Sequence, residues 1–155
     1  MEQSSAGSHE FSLGSLRRRR AELRDSMNAL EQALAGPAAG DPRRWAERVH
    51  VALVELSADF REHIEITEGE HGLYQELRET APRLSDAVAR LASEHAEISK
   101  LIDEAMASVT AGEPEQDPGR VRDLGTTLLM RLVRHRQRGS DLVYDAYEFD
   151  IGGDT

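Results

Sequence analysis

Not one of the 155 residues is a cysteine. Disulfides, thiolate metal ligands and cysteine nucleophiles are thereby excluded, and any metal must be held by histidine, carboxylate, tyrosine or water. Aromatic residues make up only 5% of the chain and β-branched residues are sparse, which argues against a sheet protein. No stretch approaches the roughly 18 apolar residues of a membrane span, and the start MEQSSAGSHE has no apolar core of a signal peptide. A cytoplasmic protein without a membrane partner is expected. Basic residues are also short: 19 Lys and Arg against 29 Asp and Glu leave a formal charge of −10, which opposes nucleic acid as a partner. The run Arg17 to Arg20 is a local exception, read as a helix face with Glu22 placed to pair with Arg18. No glycine-rich phosphate loop or nucleophile motif occurs, and no acid-base pair can be named, so an enzyme has little to stand on.

What is abundant is Ala, Leu, Glu and Arg, a composition that favours helix. GPAAGDP (36–42), ETAP (79–82) and AGEPEQDPG (111–119) divide the chain into four segments. Asp41-Pro42 and Asp117-Pro118 read as N-cap followed by N1. Within the segments the apolar residues recur at alternating three and four: Leu16, Leu23, Met27, Leu30 and Leu34; Val49, Leu53, Leu56, Phe60, Tyr74 and Leu77; Leu84, Val88, Leu91, Ile98, Ile102 and Val109; Val121, Leu124, Leu128, Leu132, Leu142 and Ala146. Four such stripes on short loops predict an all-α, antiparallel up-down-up-down four-helix bundle over residues 11–148. Residues 1–10 are expected to be irregular and 149–155 a loose tail.

Each stripe is interrupted by a bulky polar residue: Arg20, His63, His95 and His135, with Thr67, Glu70 and Gly139 beside them. Arg20 lies 14 residues before Leu34, His63 lies 14 after Val49, His95 lies 14 before Val109 and His135 lies 14 after Val121. In antiparallel helices these counts put all four within about one turn of a common layer. A lone buried histidine is more often a hydrogen-bonded core residue than a ligand. Three in one layer could hold a first-row metal through ring nitrogen. Arg20 cannot ligate, and would be satisfied by Glu70 or a bound anion. Because Thr67, Ser99 and Gly139 are small, the space below the layer is either a polar cavity or a close approach of helices. Glu70 falls on the face of His63 but about 10 Å along the axis, and Glu68 points about 140° away unless Gly69 and Gly72 distort the helix. The phrase TEGEHG is then a bulge that re-aims a carboxylate, or the frayed end of the second helix. His9, His50 and His71 lie off the stripe, and Asp141, Tyr144, Asp145 and Tyr147 spread around their helix.

The three histidines, in ELSADFREHIEITEGEHGLYQEL, LASEHAEISKLID and LLMRLVRHRQRGSDLVYDAY, together with the pairs Leu73-Tyr74 and Val143-Tyr144 behind them, resemble the hemerythrin-like (HHE cation-binding) family across all four helices. The resemblance implies a four-helix bundle around a non-haem di-iron centre used for O2 or NO binding, iron handling or sensing. It implies a first-helix histidine about where Arg20 stands, and carboxylates where this chain has Thr67 then Glu68 and Gly139 then Ser140. Some members add a third-helix histidine where Ser99 is found.

The expected metal ligands are therefore His63, His95 and His135, with Arg20, Thr67, Glu70 and Gly139 around a small bound molecule. Iron, mononuclear or in an atypical pair, is the expected cofactor, with zinc or manganese as alternatives. The competing reading is a metal-free bundle that serves as a binding or interaction module, with Arg20 and Glu70 paired near the axis.

Overall fold

The computed structural model describes residues 12–110 and 117–149. The expected irregular start, the loop 111–116 and nearly all of the expected tail lie outside the described residues. Four long helices form the bundle: α1 (Leu13–Ala35), α2 (Pro42–Glu68), α4 (Ser85–Thr110) and α5 (Pro118–Tyr144). A short helix, α3 (Leu73–Thr80), and a 3-10 turn, Pro82–Leu84, connect α2 to α4. Beyond Tyr144 the chain continues as a π-helical stretch, Asp145–Phe149. No helix among the described residues is long and apolar enough to cross a membrane.

The helix starts follow from local chemistry. Asp41 and Asp117 accept from the main-chain N–H of Arg44 (3.2 Å) and Arg120 (3.1 Å), and a proline fills the first position of each helix, where its missing N–H costs nothing. Ser12 caps α1 in the same way through Ser15. The paired face of the arginine run differs from expectation. Glu22 pairs with Arg19 at 3.2 Å rather than with Arg18, whose guanidinium donates to Ser15. Arg19 also reaches Glu62 of α2, a long-range contact that sequence spacing cannot anticipate.

Helices α1 with α2, and α4 with α5, pack as antiparallel pairs, and α2 against α4 joins them. The stripes meet in two apolar clusters. One gathers the C-terminal half of α1, the N-terminal half of α2, the C-terminal half of α4 and the N-terminal half of α5, from Leu23 and Leu34 to Phe60, Ile98 and Leu132. Its largest member, Trp45, is fully buried, although it lies one turn ahead of the expected stripe. The other collects Leu16, Leu73, Tyr74, Leu77, Val88, Leu91 and Leu142 at the opposite end. This distribution is the up-down-up-down arrangement the stripes predict. Between the two clusters, and in neither, lie His63, His95 and His135.

Candidate metal centre

All three histidines are almost wholly buried, at 2–4% exposure. Their rings meet edge to face, with centroids 4.8–5.2 Å apart. Phe60 floors the cluster from the larger apolar core, stacked on His63 at 5.6 Å and edge-on to the other two rings. Tyr74 closes the other side, lying parallel to His95 with centroids 5.8 Å apart and its hydroxyl 3.5 Å from His95 Nε2. The layer is thus walled by aromatic faces above and below.

The ring nitrogens are sorted by their partners. His95 Nδ1 donates to the Glu68 carboxylate, and His135 Nδ1 donates to Glu94 Oε1 at 2.8 Å. A neutral imidazole carries one proton, so a proton fixed on Nδ1 leaves a bare lone pair on Nε2. Those lone pairs face inward. His135 Nε2 lies 3.1 Å from His95 Nε2 and 3.1 Å from His63 Nε2. His63 can donate to His135 from its own Nε2, and its buried Nδ1 has no partner. Between His95 and His135, however, two acceptors confront each other with no proton of their own to share, and the donor nearest His95 Nε2 from outside the trio is the Tyr74 hydroxyl at 3.5 Å.

Protonation does not readily relieve that contact. Burial pushes the pKa of all three histidines below the ordinary value, that of His63 furthest, because its neighbours His95 and His135 add to the effect. Glu68 and Glu94 oppose the shift at His95 and His135 without reversing it. A cation other than a proton fits the arrangement better. Three nitrogens held at about 2.0–2.1 Å from one tetrahedral metal stand ~3.3 Å apart, close to the 3.1 Å from His135 Nε2 to each of the other two, and the three ligand atoms all lie within 4.8 Å of one another. Carboxylates on the far nitrogen of ligating histidines fix the tautomer and strengthen the ligand.

The other expected residues divide. Thr67 is buried beneath His63, but its hydroxyl donates back to the His63 carbonyl at 2.7 Å, leaving only its lone pairs toward the interior. Glu70 stands exposed in the turn after α2 and bonds none of the three histidines. It forms no pair with Arg20. The guanidinium of Arg20 instead bonds Ser140 Oγ and the Arg136 carbonyl, and its Nη1 lies 3.2 Å from where a Cβ on Gly139 would stand. Gly139 therefore makes room for Arg20 rather than for a cavity. Glu68, the last residue of α2, reaches His95 because the helix ends there. Glu94 had no sequence signal of its own: it precedes His95 on a polar face, and its partners His135 and Arg138 are on α5.

A bundle with three inward histidines, two of them anchored by carboxylates, has the side chains of a cation site: His63, His95 and His135 are the group found among the described residues that could hold a metal ion. Residues 15–146 match the hemerythrin HHE cation binding domain. The chain belongs to that family. No curated protein and no solved structure matches it.

Proposed function

We propose that the chain holds a single first-row metal ion through Nε2 of His63, His95 and His135, and uses the remaining coordination positions for a small ligand such as O2 or NO. Iron is the first choice within this family, and zinc and manganese suit the same nitrogens. The observation that carries the reading is the pair of inward lone pairs on His95 and His135, 3.1 Å apart with both Nδ1 protons committed to carboxylates. A di-iron centre finds less support. It needs bridging carboxylates, whereas Thr67 and Gly139 stand in the corresponding places and Glu68 and Glu94 bind the outer nitrogens.

Calorimetric titration of Fe2+, Zn2+ and Mn2+ into chelated, desalted protein tests this. At least one of them is expected to bind saturably, and His95→Ala is expected to weaken that binding by two orders of magnitude or more. If no metal binds the wild type, or His95→Ala binds equally well, the proposal fails and the metal-free interaction module takes its place.

A further inference from the structure

Beside the histidine layer, α1 and α5 meet less closely than the other neighbouring helices. Two arginines occupy that seam. Arg20 and Arg136 are half-buried, and each reaches the main-chain carbonyl of the other, at 3.5 and 3.4 Å. These are long bonds, and beyond them Arg20 bonds only Ser140 Oγ among the described residues. Among the described residues no carboxylate oxygen lies within 4.0 Å of either guanidinium. Arg19, Arg131 and Arg138 do have glutamate partners, but they lie on more exposed faces. Two like charges in a half-buried seam favour a counter-charge.

One donor is already in place for it. Arg136 Nε is buried and has no hydrogen-bond partner, a costly state for a charged donor. Each guanidinium is a planar fork whose paired N–H groups match the oxygens of a small oxyanion. Gly139, without a side chain, lets the Arg20 guanidinium settle against α5, and Ser140 at the exposed rim adds a hydroxyl.

We infer that Arg20 and Arg136 form a receptor for a small inorganic oxyanion in the α1–α5 seam, next to the histidine layer. The anion supplies the missing partner for Arg136 Nε and neutralises the charge pair. This assignment does not rest on the metal reading, since both arginines are present whether or not a cation is bound.

The test is an NMR titration of the full chain, before and after chelation of metal, with sulfate and nitrate as probes and chloride as the ionic-strength control. The arginine Nε–Hε resonance of Arg136 should shift saturably with at least one oxyanion in both preparations. Arg20→Met should weaken the binding by about tenfold or more, the worth of a charge-assisted bond, and Arg136→Met likewise. Arg90→Met, on an exposed face of α4, should leave it unchanged. Arg20→Lys, which keeps the charge but not the fork, should bind at intermediate strength and guards against a folding defect in the methionine variant. A shift matched by chloride overturns the proposal. So does binding that survives Arg20→Met, or that requires metal and ignores both arginines.

Discussion

Glu94 shows how one side chain can set the character of the cluster. One carboxylate oxygen accepts a hydrogen bond from His135 Nδ1–H and the other accepts from Arg138. With 13% of its side chain exposed, it is the better shielded of the two carboxylates, against 36% for Glu68. Glu94→Gln preserves shape and can still accept from His135 through its amide oxygen, but it removes the charge that strengthens the imidazole as a ligand. Metal affinity, measured by competition with a chromophoric chelator, is expected to fall by about 10- to 100-fold while the melting temperature of the chelated protein changes little. His63, His95 and His135 could be picked out in the sequence because each breaks an apolar stripe. Glu94 could not, because a glutamate on a polar face looks like any solvated residue until the helix that covers it is known.

The break between α2 and α3 decides where Glu68 points. The apolar rhythm runs through it unaltered, because Tyr74 and Leu77 of α3 are buried on their own account. Periodicity therefore suggests one continuous helix, while TEGEHG hints at distortion without giving its form. The structure resolves this as a full stop after Glu68 and a restart at Leu73. Glycine is needed at the restart for space. A Cβ on Gly72 would lie 2.5 Å from the Ile66 carbonyl oxygen and 2.9 Å from that of Thr67, main-chain atoms that cannot swing aside. Gly72→Ala is expected to destabilise the fold by about 1–3 kcal/mol in chemical denaturation. It should also weaken metal binding, since α3 carries the Tyr74 ring stacked on His95. The capping pairs Asp41-Pro42 and Asp117-Pro118 were the most legible features of this kind, because a cap acts within a few residues of itself.

In the whole bundle, a polar layer divides two apolar clusters, and the neutral state of that layer ties stability to pH. Burial holds the pKa of His63, His95 and His135 below the value near 6.5 that each regains on unfolding. The unfolded chain therefore binds more protons than the folded one once the pH drops below that value. Stability is full above pH 6.5 and is lost as the pH falls toward the folded-state values, by up to about 1.4 kcal/mol per pH unit for each histidine involved. The melting temperature of the chelated protein should accordingly fall from pH 7 to pH 5, and His135→Leu should flatten that slope. Fold class and the common layer could both be derived from counting along four stripes. The direction of each ring nitrogen could not, since it depends on carboxylates contributed by neighbouring helices. That direction favours one metal over two, and counting metal atoms tests it most directly. Elemental analysis of protein loaded with excess Fe2+ under anaerobic conditions and then desalted is expected to give about one iron per chain, falling to near zero in His95→Ala. Two irons per chain in the wild type, or none, would contradict the account.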